Sequence, residues 1–543
     1  MAQGDAAARP AAMRPRAGTP GVRALRLALL ACAAVLGGCV TLRTDYPRTP
    51  SSAIPPAFDT DSGRYVQGEV DRHPGKCGLR LLVNGTDALM SRIWLIDHAR
   101  HSVDMQYFIF ENDATGRLVS QRLLAAADRG VRVRLLLDDI TLKNEDRLLG
   151  ALGAHANIEV RVFNPFRTRA PSLISKAVQF ALEGRRLNRR MHNKSMMVDG
   201  FAAVIGGRNI GDAYFDASGE SNFRDLDVLA IGPVVAEAEH AFDEYWNSNA
   251  AYPLQAYPTM LDDKADLAAL RPELRGDLRA FNQSDYAKAM VEEIPNGPTG
   301  DRPGRWVWAD ATLLVDQPRK IAADHDEPWL RIGPKVRQAI DGAQKELLLI
   351  TAYLVPSRRG VRYLTALERR GVAVSILTNS LASTDDPAAE AGYTRRRRAL
   401  LEGGVQLYEL RPSPGEPARR ITASRSAGTS SLHAKAIVVD GHFVFIGSMN
   451  LDPRSKLLNT EMGVLVESPE LAAQVEQFFQ QAIAPGSAFH VQLERAGAGQ
   501  PELLTWSWDE HGQIMTTHKE PEVRPMRRLE TDVLRLLPIE GLL

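Results

Sequence analysis

The stretch "MHNKSMMVDGFAAVIGGRN", residues 191 to 209, returns as "LHAKAIVVDGHFVFIGSMN", residues 432 to 450. Eight of the nineteen aligned positions are identical, and they include His192 and His433, Lys194 and Lys435, Asp199 and Asp440, Gly206 and Gly447, and Asn209 and Asn450. In each copy an apolar run, "SMMV" or "AIVV", leads into Asp-Gly and a second apolar run follows, which predicts a β-hairpin. Side chains alternate along a strand, so the histidine and lysine of each copy share a face while Asn193 points away.

Outward from these copies the repeat continues. "RGV" at Arg129 and "RGV" at Arg370 stand 241 positions apart, the same offset that separates His192 from His433. A shared offset points to duplication of a whole domain rather than reuse of a short motif. Each half reads as alternating helix and strand. "DALMSRIWLIDHAR" and "GRLVSQRLLAAADRG" have helical spacing around the strands "SVDMQYFIF" and "VRVRLLLDD". "PKVRQAIDGAQ" and "GVRYLTALERRG" do the same around "KELLLITAYLV" and "VAVSILTNS". The alternation predicts an α/β layer fold, with one domain over 77–254 and a second over 326–490. Residues 255–325 are rich in Pro, Asp and Arg and weakly patterned, and read as a linker or insertion. Residues 491–543 read as a C-terminal tail.

The chain of 543 residues is long enough for two such cores. Lys+Arg and Asp+Glu balance at 66 each, so no global positive field argues for wrapping nucleic acid. "MRPRAGTPGVRALRLALLACAAVLGGC" joins a positive start to an apolar run, Leu27 to Leu36, with small residues before Cys39, as a secretory signal does. Met13 is a second candidate start. "LGGC" resembles the lipobox of bacterial lipoproteins, which implies cleavage after residue 38 and lipidation of Cys39. Residues 1–39 then read as a signal peptide with lipobox and 40–76 as a flexible tether. The expected location is the bacterial cell envelope, exported and anchored on the periplasmic side, with inner or outer membrane left open. Cys32 lies in the leader, so Cys77 would stand alone and neither a disulfide framework nor a zinc cluster is expected.

A histidine beside a fixed cation, with an amide and small residues behind, suits a phosphate. The lysine offsets charge on phosphoryl oxygens, the asparagine donates to them, and Gly206 and Gly207, or Gly447 and Ser448, let the backbone come close. Core packing alone would not keep the lysines in both copies. A lysine next to each histidine repels a metal cation, and glycine signatures for nucleotides are missing after the strands, so no metal and no cofactor is expected.

The two stretches resemble the phospholipase D superfamily pattern: His-x-Lys, four residues, Asp, six residues, Gly-(Gly/Ser)-x-Asn. The likeness extends over most of residues 80–485. It implies two phospholipase D-like α/β domains packed face to face, with one active site at their interface. It implies a catalytic set of His192, Lys194, Asp199, His433, Lys435 and Asp440, with Asp199 and Asp440 more structural than chemical. His192 would be the nucleophile that forms a phosphohistidine and His433 the general acid and base. Asn209, Asn450 and Ser448 would bind the phosphoryl group. Carboxylates that orient the histidines are expected further on, where "FRDLDVLAI" aligned with "NTEMGVLV" sets Asp225 against Glu461, with Asp227 still open. Within the superfamily the chain is most similar to bacterial cardiolipin synthases of the phospholipase D type, on "FRDLDV" and a carboxyl end like "LLPIEGLL". That implies transfer of a phosphatidyl group to phosphatidylglycerol. The alternatives are hydrolysis of phospholipid to phosphatidic acid and, further off, a metal-independent nuclease. The expected partners are membrane phospholipids, phosphatidylglycerol first and phosphatidylethanolamine second, and a membrane surface. The arginines of "GRRLNRRMHNK" and "TRRRRALLEGG" read either as a cationic face for anionic headgroups or as solvated surface; no nucleic acid is expected.

Overall fold

The computed structural model describes residues 42–142, 146–167, 182–257, 266–293, 306–323, 327–412, 429–495 and 502–536. The leader, its apolar run and Cys39 lie outside the described residues. Among the described residues no helix is long and apolar enough to cross a membrane.

The first half contributes β1 (Cys77–Leu82), β2 (Ser102–Tyr107), β3 (Arg132–Asp138), β4 (Ile158–Phe163), β5 (Ser195–Val198), β6 (Ala202–Gly206), β7 (Ser221–Arg224), β8 (Asp227–Ile231) and β9 (Ala251–Pro253). The second contributes β10 (Val307–Val315), β11 (Glu346–Ile350), β12 (Ala373–Asn379), β13 (Gln406–Leu410), β14 (Thr429–Leu432), β15 (Ala436–Val439), β16 (Phe443–Gly447), β17 (Met462–Glu467) and β18 (Ala488–Arg495). In the first half the pairing runs β9-β4-β3-β2-β5-β6-β8-β1. In the second it runs β18-β13-β12-β11-β15-β16-β17-β10, the same order strand for strand. β2, β3 and β4 are parallel, as are β11, β12 and β13, because helices Ala114–Asp128 and Arg358–Arg369 make the crossovers. The duplicated α/β architecture expected from the 241-residue offset is therefore present.

Two strand pairings and an isolated bridge, Met191 to Thr460, join the halves. β10 runs antiparallel to β1 at its start and to β17 over the rest. β7 and β14 form a separate parallel ribbon, Ser221–Arg224 against Thr429–Leu432. Between the sheets a shared core brings Met197, Val228 and Phe242 together with Leu348, Val444, Val464 and Phe479. The central strands β5, β6 and β15 are buried along their whole length, which explains their unbroken apolar runs.

Three stretches are more ordered than the sequence reading allowed. Residues 255–325, read as linker or insertion, hold the helices Leu267–Gln283 and Asp285–Glu293 and the seam strand β10. Their pattern was hard to read because Pro272 stands inside the first helix and β10 alternates irregularly. Residues 491–543, read as a tail, add β19 (Glu502–Glu510), β20 (Gln513–Thr517) and the helix Pro525–Leu536; β19 pairs with β18 and β20 with β19. The described part of 40–76 is not a free tether. Arg161, Arg134 and Arg132 donate to the carbonyls of Thr49, Ser51 and Ser52, and Ala53 donates to Asp243. An extended Pro/Ser segment makes no hydrogen bonds of its own, so its carbonyls are available to these arginines.

Candidate active site

Each motif begins just before an inner strand and ends just after its hairpin partner. At the turn, Asp199 and Gly200 have φ of 52° and 67°, and Asp440 and Gly441 have 54° and 62°. Two consecutive left-handed residues suit a tight hairpin, and Asp-Gly supplies them at low cost. Phe201 N donates to Val198 O and His442 N to Val439 O, closing both turns.

The aspartates at these turns are engaged with backbone amides. Asp199 accepts from the backbone amides of Arg100, His101 and Ser102 at 2.8–2.9 Å. Asp440 accepts from those of Gln344, Lys345 and Glu346 at 2.7–2.9 Å. Each pins the entry to β2 or β11, a full strand away from its histidine.

His192 and His433 are brought into one site by hydrogen bonds that cross between the halves. His192 N donates to Thr460 O and Thr460 N to Arg190 O, each at 2.9 Å. His433 N donates to Arg224 O at 2.8 Å. The residue after each of these anchors is a carboxylate. Nδ1 of His192 donates to Glu461 at 2.8 Å, and Nδ1 of His433 donates to Asp225 at 2.5 Å. Each histidine is thus oriented by the other half of the chain, and in both rings Nε2 is left as the reactive nitrogen. Asp227 is engaged elsewhere, buried between Arg92 and Arg208.

The two carboxylates are held differently. Glu461 also accepts from the hydroxyls of Ser448 and Ser455. Ser448, expected on the phosphate, is therefore spent on Glu461. At the equivalent position Gly207 leaves room instead, because a Cβ there would lie 2.1 Å from Asp225 Oδ1. Lys194 and Lys435 each donate to the carbonyl of their own histidine, Lys194 at 2.7 Å. Asn209 Oδ1 accepts from Ile109 N at 3.1 Å, and its Nδ2, beside the Tyr214 hydroxyl, is buried without a hydrogen bond of normal geometry. Asn450 is fixed through its backbone by Ser455, and its side-chain oxygen is buried without a donor.

The electrostatics separate the two histidines. Burial, then Lys194, Lys435 and Arg454, holds His192 well below the ordinary imidazole range. Burial and Lys435 lower His433 to about 4, against the pull of Asp225. Burial pushes Glu461 up, opposed by Lys194 and the two serine hydroxyls. Burial acts on Asp225 in the same sense, but His433, Lys435 and Arg208 overcome it and hold the carboxylate ionised. Burial also lowers Lys435 to about 8 and Lys194 further below its usual value. The site is a buried cluster short of negative charge, which a phosphodiester would supply, raising all four basic groups. His433, beside the firmly ionised carboxylate, is the better placed of the two rings to carry a proton.

Reading single motifs missed several contributors. Phe108 packs edge-on to His192 at 4.9 Å, and Tyr214 and Phe223 flank His433 at 5.3 and 5.1 Å. Arg454 and Ser455 stand four and five residues after Asn450, but "DPRS" has no counterpart after Asn209, so the repeat does not mark them. Within the arginine runs Arg185, Arg395 and Arg398 are exposed, whereas three others turn inward. Arg190 is buried on Asp138, and Arg189 donates to Ile321 O and Ala323 O. Arg397 is buried among Glu390, Glu409 and Glu520. These side chains turn inward because buried carboxylates and free carbonyls compete successfully with solvent.

A family model described as "Cardiolipin synthase, PLD-like domain" matches residues 93–246 and 336–483. Cardiolipin synthase C of Escherichia coli is 40% identical over 484 residues, covering 87% of this chain and 97% of that one. Cardiolipin synthase B of Salmonella typhi is 26% identical over 400 residues, 72% of this chain and 78% of that one. Among solved structures, the phosphatidylserine synthase of Haemophilus influenzae superposes with a TM-score of 0.52 at 14% identity, covering 89% of this chain and 99% of that chain. That likeness is one of fold.

Proposed function

The chain belongs to the phospholipase D-like cardiolipin synthase family, and from that premise we propose that it is a phosphatidyltransferase joining a phosphatidyl group to the glycerol headgroup of phosphatidylglycerol. The observation that carries this reading is the exchange of orienting carboxylates, Glu461 to His192 and Asp225 to His433, around two buried lysines. Such a site has no half that works alone.

In the proposed reaction Nε2 of neutral His192 attacks the phosphorus of the donor lipid. The bond from phosphorus to the headgroup oxygen breaks, and the proton on Nε2 of His433 goes to that oxygen. The acceptor hydroxyl then returns its proton to His433 as its oxygen attacks phosphorus, and His192 leaves. Asp225 stabilises the imidazolium, and Lys194, Lys435, Asn209 and Asn450 hold the phosphoryl oxygens. Every step uses a side chain already in place and none calls on a metal.

Hydrolysis to phosphatidic acid is the same chemistry with water as acceptor, and metal-independent nuclease activity is the more distant reading. For location, we propose export and lipidation of Cys39. Leu42, three residues on, is tied to the body by its amide on Arg167 O, so a lipid at Cys39 would hold the enzyme close to the bilayer. Incubation of purified protein with phosphatidylglycerol vesicles, alone and with phosphatidylethanolamine, tests the assignment. Cardiolipin is the expected product. Phosphatidic acid alone would make the chain a hydrolase, and DNA cleavage with both lipids untouched would make it a nuclease.

A further inference from the structure

The helix Pro525–Leu536 has one face turned inward and one left bare. Inward, Thr531 is buried, Arg535 bonds Thr394 and Glu520, and Arg527 donates to Thr384 O at 2.8 Å. Outward, Met526, Leu529, Val533 and Leu536 are 75, 59, 51 and 85% exposed. Spaced three, four and three residues apart, they fall on a single stripe of the helix. A packed surface helix hides such a stripe, and this one presents it away from the core.

The inward side of the same helix is linked to the site by packed side chains. Leu534 and Tyr353 pack on the same small cluster of Val355, Ala389 and Ala391. The Tyr353 hydroxyl donates to Asp385 at 2.9 Å, and Asp385 in turn acts electrostatically on Lys435 and on Tyr214, the ring that flanks His433. Two steps therefore lead from the helix to the site. Arg358, Arg359 and Arg362 are exposed at the start of the helix that follows Val355, and Arg524 is exposed just before the stripe. Glu530 and Asp532 border the stripe, and Asp532 is taken up by Arg535.

We propose that the helix Pro525–Leu536 docks the molecule on an anionic phospholipid bilayer, its four apolar side chains entering the headgroup layer. The inference rests on the reading that the substrate is a membrane phospholipid. A two-chain lipid keeps its acyl chains in the bilayer while its phosphate is handled, so the mouth has to lie against the lipid. Exposed apolar side chains on a helix entered through Arg524, with further exposed arginines on the helix after Val355, match the apolar boundary and negative surface of such a membrane.

The test uses the full chain with Leu529→Cys carrying a polarity-sensitive fluorophore, on vesicles of phosphatidylglycerol and phosphatidylethanolamine containing brominated acyl chains. The unaltered chain taken through the same labelling supplies the background. The expected result is quenching at position 529, weaker on phosphatidylcholine vesicles. In parallel, Leu529→Gln combined with Val533→Gln is expected to lower turnover on vesicles by ~10-fold or more, with turnover of a short-chain, monomeric phosphatidylglycerol unchanged. An unquenched label on vesicles overturns the proposal. So does a fall from dimer to monomer in the double variant, which would mean that a second copy covers the stripe. Quenching without any lipid product from the unaltered chain leaves the docking intact and removes the transferase reading instead.

Discussion

Two imidazoles in matching His-x-Lys motifs are made unequal by one methylene and a few hydroxyls. Asp225, short and held ionised, faces His433; Glu461, longer, pushed up by burial and shared with two serines, faces His192. Both rings are poorer bases folded than unfolded, which fixes the sign of a stability effect. Between pH 6.5 and about 4 the unfolded chain binds protons at His433 that the folded chain does not, so stability rises with pH across that window. His192 acts in the same direction. Urea midpoints measured from pH 4 to 6.5 are expected to climb, and to climb less steeply in His433→Gln; an unchanged slope would remove the buried neutral ring from the account. The His, Lys and Asn set was legible because it recurs intact at one offset. The assignment of Glu461 to His192 and Asp225 to His433 was not, since each pair spans more than two hundred residues and no local pattern records which carboxylate crosses to which ring.

At the level of elements, the motif aspartates are turn residues that hold a neighbouring chain entry. Asp199→Asn tolerates the left-handed backbone but sets an amide donor against donors from Arg100, His101 and Ser102. A loss of about 1–3 kcal/mol in stability is expected, with turnover per folded molecule unchanged within about threefold. Thermal melts and kinetics on the same preparation check this, and a collapse of turnover without loss of stability would return Asp199 to the chemistry. The hairpins and crossovers were legible from Asp-Gly and from helical spacing. The strap over 42–60 and the seam strand β10 were not: the strap is held by arginines distant in sequence, and β10 is defined by two partners, β1 and β17, rather than by its own alternation.

Over the whole molecule, the duplication creates a site that exists only when both halves of one chain close on each other. The seam of β1 with β10, the ribbon of β7 with β14 and the shared core all lie within a single chain. Mixing purified His192→Gln with His433→Gln is therefore expected to give no more turnover than the two variants summed, and a substantial recovery would mean that the site forms between chains. Balanced net charge hid the fate of the arginine runs, because composition does not show which cations face buried carboxylates. The central claim is that both rings act on one phosphorus, His192 as nucleophile and His433 as acid. The most direct measurement offers each histidine variant a phosphatidyl ester of p-nitrophenol, whose departure needs no protonation, and maps the covalent adduct by mass spectrometry after an alkaline quench. His433→Gln, expected to lose ~10²–10⁴-fold on natural lipid, should release p-nitrophenol and accumulate a phosphatidyl group on His192, while His192→Gln forms no adduct; an adduct on His433 in the His192→Gln protein would contradict the assignment.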